Sequence, residues 1–243
     1  MKNSKLINRT VYAALALLSL TGIFIVIRRT ILVVPVLING YQPPAVTSMF
    51  TQMDEIFAHH PVLTLIHIIP GLFFVVSGPF QFMQRISIRY PRLQRLGGRV
   101  FLASGMIIGI TALVMSFAMP AIGGINQAAA TTMFSLVFLY YLLKAFQQLR
   151  QGKTAAHREW VIRAYAIGLA VASIRIINGI FFATSRITHL SPHEFFGIGF
   201  WIGFVIHLLL AEFWISRTRL LKTAVSINDL TKDSFTSFER LNN

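Results

Sequence analysis

The chain has 243 residues, 55% of them hydrophobic and only 12% charged, with a mean hydropathy of +0.65. A soluble domain carries roughly 25% charged residues, so a chain this apolar must be solvated by lipid. The formal net charge of +14 does not indicate nucleic acid, because the basic residues sit in short segments between long apolar runs and not on a polar surface.

In chain order the apolar runs are 11–35, 61–83, 98–119, 122–147, 159–184 and 193–216. Each reaches the ~20 residues that cross ~30 Å of hydrocarbon at about 1.5 Å per residue. The first begins with the stretch Val11–Ile27, which follows Lys2, Lys5 and Arg9 as a signal peptide would. Arg28 and Arg29 follow it in place of a small-residue cleavage site, so it reads as an uncleaved span. Residues 48–58 place Phe50, Met53 and Phe57 on one helical face, as in an amphipathic helix lying on the outer membrane surface. The second span opens at His60-Pro61 and is interrupted at Pro70-Gly71 and Gly78-Pro79. Gly105 and Gly109 give the third span a GxxxG, which lets helices approach closely. The fifth span carries Arg175 in a stripe of small residues, Gly168, Ala172 and Gly179. Before the sixth span, Ser191-Pro192-His193-Glu194 forms a capping-box signal.

Three basic residues precede the first span, and five each fall in the second connection, the fourth connection and the C-terminal segment. That places 18 of the 22 on one side and three, Arg28, Arg29 and Arg186, on the other, with Arg175 inside a span. The positive-inside rule makes both termini cytoplasmic. The expected fold is all-α: a six-helix transmembrane bundle over residues 1–218, N-in and C-in, in the inner (cytoplasmic) membrane. A polar tail occupies 219–243.

Arg175 lies in the outer half of its span. An intramembrane Arg costs about 2.5–3.5 kcal/mol even on a lenient scale and is a functional candidate by default. The structural alternative is snorkelling, or bonding to backbone carbonyls. No Asp or Glu shares its depth within a span, and Glu212 sits near the opposite face. The counter-ion is then expected to be a ligand: a carboxylate, a phosphate or a haem propionate. His67, in the outer half of the second span, is followed by Pro70, which frees the Ile66 carbonyl. His207 lies near the middle of the sixth span. Two intramembrane histidines on different helices point to axial ligands of a non-covalent b-type haem, and each is equally readable as a packed histidine. His207 comes out about 9 Å deeper than His67 at 1.5 Å per residue, which fits a shared haem poorly.

With no cysteine in the chain, disulfides, thiolate catalysis, iron–sulfur clusters and covalent haem are excluded. Arg85, Arg95, Arg99, His157, Arg158 and Arg163 line the basic connections and form a candidate set for an anion or lipid headgroup, with plain topology signalling as the alternative. His189 and His193 are separated by Ser191-Pro192, which argues against a metal site there. No nucleophile elbow, phosphate loop or His-Glu-x-x-His motif is present, so enzymatic activity stays open.

The run His67, Gly71, Gly78-Pro79-Phe80-Gln81-Phe82, Arg85, Pro91, Arg95, Gly98-Arg99 resembles one stretch of a family signature. His157-Arg158-x-Trp160-x-x-Arg163-x-Tyr165-Ala166, with Arg175 beyond it, resembles another. Together, over roughly 60–215, they resemble the bacterial membrane family known as domain of unknown function 2306. The resemblance implies a multi-pass bacterial membrane protein with no established activity. Members usually carry His where this chain has Gln94, which weakens any haem or metal site built there with His157. The functional expectation is a membrane redox or cofactor protein holding haem through His67, Arg175 and His207. The alternative is a transporter or lipid-binding protein for an anionic ligand using Arg175. Expected partners are the lipid bilayer and anionic lipids, and no nucleic acid.

Overall fold

In the computed structural model the backbone is described for residues 2–42, 49–83 and 89–241, and side chains for 9–42, 51–83 and 89–220. Among these residues the structure is all-helical: α1 (Lys2–Asn39), α2 (Met49–Ala58), α3 (Pro61–Phe82), α4 (Pro91–Ala118), α5 (Gly124–Arg150), α6 (Thr154–Thr188) and α7 (Pro192–Leu241). All but α2 are long and apolar enough to cross a membrane.

Local sequence explains the helix starts. Pro61, Pro91 and Pro192 each begin a helix, where the missing N–H costs nothing and φ is already helical. At α7 the Glu194 carboxylate accepts from both the Ser191 N–H (2.8 Å) and the Ser191 hydroxyl (2.7 Å). Only the Glu half of the expected capping box forms, because the hydroxyl donates to the carboxylate and is not left to accept a backbone N–H. Helices outrun the apolar windows at several ends. α4 starts at Pro91 and α6 at Thr154, carrying exposed Arg95 and Arg158 on helical extensions. α7 has no Gly or Pro after Gly203, and its backbone stays helical through residues 219–241. Hydropathy marks what lipid covers, not where a helix ends.

α1, α3, α4, α5 and α6 form a ring in which each packs on the next and α1 closes on α6; α7 packs outside it against α5 and α6. Without a hydrophobic drive between helices in lipid, small residues admit bulky neighbours and allow tight packing. Phe74 of α3 sits at the centre, 1% exposed, stacked on Phe101 (4.4 Å between centroids) and edge-on to Phe138 (5.5 Å). A Cβ at Gly168 would come within 2.4 Å of its ring, and one at Gly105 within 2.9 Å of Leu142. The GxxxG of α4 therefore packs on α5.

The interruption at Gly78-Pro79 is structural. Pro79 has no N–H to offer the carbonyl four residues back, which is Val75. The Tyr165 hydroxyl donates to that carbonyl from α6 (3.2 Å). Gly78 makes room for the ring, since a Cβ there would lie 2.0 Å from Tyr165 Cε2. At the same end, Gln94 Nε2 donates to Gln81 Oε1 (3.2 Å), and His157 Nδ1 bonds Ala145 O (2.8 Å).

Candidate functional site

The five-helix ring leaves a cavity of about 300 Å³ toward the end of the bundle that carries α2. Residues of all six long helices and of α2 line it. Its body is apolar, built from Phe74, Phe138, Ile108, Met115 and Phe204 among others. Gly168 and Ala172 line the cavity. Gly168 also takes the Phe74 ring of α3 at close range, so the small stripe of α6 draws two spans together there, while nothing lies within 4 Å of a Cβ at Gly179.

Most polar groups on the wall already have partners. Ser116 bonds Leu113 O (2.7 Å) and Thr132 (2.9 Å), Thr131 donates to Gln127 O (2.9 Å), and Gln127 Oε1 accepts from Gly123 N (2.8 Å). The titratable groups on the wall are His67, Arg29 and Arg175.

His67 reaches from α3 to Thr111 of α4, with Nδ1 2.9 Å from the hydroxyl. That hydroxyl donates to Ile107 O (2.7 Å). Arg175 comes from α6. Its Nε is buried and has no hydrogen-bond partner, and no carboxylate forms an ion pair with its guanidinium among the described residues. A guanidinium nitrogen buried without a partner is costly unless an acceptor reaches it.

Arg29 lines the same cavity, and Asp54, just outside its wall, holds it from α2. Asp54 of α2 takes Arg28 bidentately (3.1 and 2.7 Å) and Arg29 through Oδ1 (2.7 Å). The Arg29 guanidinium lies 4.0 Å from the centroid of Phe57, and only 7% of Arg29 is exposed. Arg29, Arg175 and Asp54 are close enough to interact electrostatically. Neither Arg29 nor Asp54 stood out in the sequence. Arg29 counted as a loop charge because hydropathy placed it near a span end, whereas α1 continues to Asn39. The adjacent arginines followed by one Asp in an amphipathic segment were the only signal. α2 is also more than a surface helix: Met53, Ile56 and Phe57 form part of the cavity wall. The Phe50 side chain lies outside the described residues.

The structure brings His67 and Arg175 to one cavity and leaves His207 out of it. His207 is 8% exposed between α6 and α7, with Nε2 bonded to Ser173 (2.7 Å). At the opposite end Arg163 is engaged by Glu212 (2.5 and 2.9 Å) and lies over Trp160. His157 is held by Ala145 O, while Arg95, Arg99 and Arg158 are exposed. Arg85 lies outside the described residues. These residues form no common pocket with the cavity.

The sequence matches the family of predicted membrane proteins designated DUF2306 over residues 64–215, more than half of the chain. The chain belongs to that family. No curated protein and no solved structure matches it. The matched region holds His67, Arg175 and the Tyr165–Gly78 contact, whereas Arg29 and Asp54 precede it. The protein is a multi-pass integral membrane protein of six apolar helices.

Proposed function

We propose that this protein binds an anion with an apolar body in the cavity beneath α2, as a lipid-type receptor or carrier in the inner membrane. The observation that carries the reading is Arg175, a guanidinium on an apolar cavity wall with no ion-paired carboxylate among the described residues. Arg29 adds a second cation to the same wall, which His67 also lines. The 18-to-3 distribution of basic residues supports a cavity opening toward the extracytoplasmic side, with both termini cytoplasmic.

Haem has weaker support. Its second histidine ligand is missing from the wall, because His207 is turned to Ser173. His67 alone would need a methionine or water opposite it.

The test is retention of a bound amphiphile. Protein purified in zwitterionic nanodiscs should bind dodecyl anions in preference to dodecanol, and Arg175→Gln should weaken that binding at least tenfold, the expectation for losing a charge-assisted bond. Equal binding of anions and dodecanol, or by wild type and Arg175→Gln, would remove the site. A Soret band in the wild type that His67→Ala abolishes would restore the haem reading.

A further inference from the structure

We propose that α2 is the gate of the cavity. A ligand enters from the water at that end of the bundle through the seam between Ile56 and Pro120, and Asp54, held by Arg28 and Arg29, is the latch. This goes beyond the anion reading and needs only the cavity.

The two faces of α2 meet different spaces. Met53, Ile56 and Phe57 recur at the spacing of one helical face and form cavity wall. Glu55 and His59, four residues apart on another face, line a separate hollow with Gln52 and His60. Ionisable groups are costly against hydrocarbon, so this hollow faces water. Ile56 of α2 and Pro120 of the α4–α5 connection border both the hollow and the cavity. At that seam side chains alone stand between the two spaces. The cavity thus has an aqueous approach on the far side of a single amphipathic helix.

The way α2 is held shows how the seam would part. It packs on α1 and α3. It runs into α3 through His59-His60, where Thr64 Oγ1 donates to Phe57 O (3.2 Å). Toward α1 the hold is a shared charge: Asp54 takes Arg28 through both oxygens and Arg29 through Oδ1. Arg29 also lies over the Phe57 ring. Asp54 is absent from the cavity lining, so its pairing acts on the helix and not on a ligand. Parting Asp54 from α1 leaves the α2–α3 corner as the hinge and frees Ile56 to move away from Pro120. The aromatic core around Phe74, Phe101 and Phe138 does not include α2 and is undisturbed by that motion.

The chain has no cysteine, so Ala112→Cys puts a single thiol on the half-buried α4 wall of the cavity. Its rate of modification by an anionic methanethiosulfonate is measured on full-length protein in zwitterionic nanodiscs with no ligand added. Asp54→Asn and Arg28→Gln each break the latch without altering a lining residue. Both should raise the rate at least about tenfold, because modification of a transiently open site follows its open population. The two substitutions change the local charge in opposite directions, so attraction of the reagent alone would speed one and slow the other. A thiol placed instead at Ser191, exposed at the same end, should react at one rate with or without either substitution. Should Asp54→Asn fail to fold, Arg28→Gln decides alone, since its charge change opposes the reagent. Rates at position 112 that neither substitution raises, or that move in opposite directions, would overturn the gate. So would a thiol there that N-ethylmaleimide modifies and the charged reagent never does, the sign of entry from the bilayer. No ligand takes part in these rates, so failure of the gate leaves the anion site standing, and failure of the anion site leaves the gate.

Discussion

Replacing Tyr165 by Phe tests the account of the broken α3 helix. Tyr165 is 3% exposed, and its hydroxyl donates to the Val75 carbonyl at 3.2 Å and lies 3.2 Å from Ser19 Oγ. The single phenolic proton goes to Val75 O, so the Ser19 hydroxyl is the donor in the second bond. Phe keeps the ring that fills the Gly78 notch and removes both bonds. An unsatisfied buried acceptor costs about 1–3 kcal/mol, while hydrogen bonds measured within membrane bundles average about 0.6 and reach about 1.7 kcal/mol. The expected loss is about 1–2 kcal/mol. Pro79 is the reason the carbonyl is free, so Pro79→Ala returns a backbone donor to Val75 O. In that background Tyr165→Phe should cost about 1 kcal/mol less, leaving mainly the Ser19 bond. The assay is a double-mutant cycle of unfolding free energies in mixed micelles titrated with denaturing detergent. Costs that add within about 0.3 kcal/mol would refute the pairing of Tyr165 with the proline-freed carbonyl.

Two further outcomes are expected. Ala112→Phe places a ring into the cavity from α4 and leaves the Arg29, His67 and Arg175 side chains themselves unchanged. It should lower ligand retention at least tenfold while costing no more than the about 1–3 kcal/mol of overpacking, and unchanged retention would mean that the ligand sits elsewhere. Because the chain has no native cysteine, single cysteines at Ser87 and Ser191 report topology directly. Position 191 should react with an impermeant thiol reagent in intact cells and position 87 only after lysis; the reverse pattern would invert the orientation.

The residues divide by what kind of information each role needs. Six spans were legible because transfer into lipid is nearly additive along a run of about twenty residues, and a run such as 122–147 declares itself without reference to any other. Arg175 and His67 were legible as candidates for the same reason: a polar group in an apolar window is costly wherever its helix goes. Their partners were not. His207 already sat too deep for His67 in the sequence, but its partner Ser173 became visible only once α7 was packed against α6. Gly78-Pro79 looked like a loosened turn and proved to be half of a contact whose other half, Tyr165, lies on α6. Asp54 belonged to a segment too short to span, so no count of charge by depth could set it against Arg29. Hydrophobicity and net charge by segment are properties of the chain alone and settled which helices enter the membrane. Which side chains meet depends on the depth and rotation of several helices at once, and only tertiary packing fixes these.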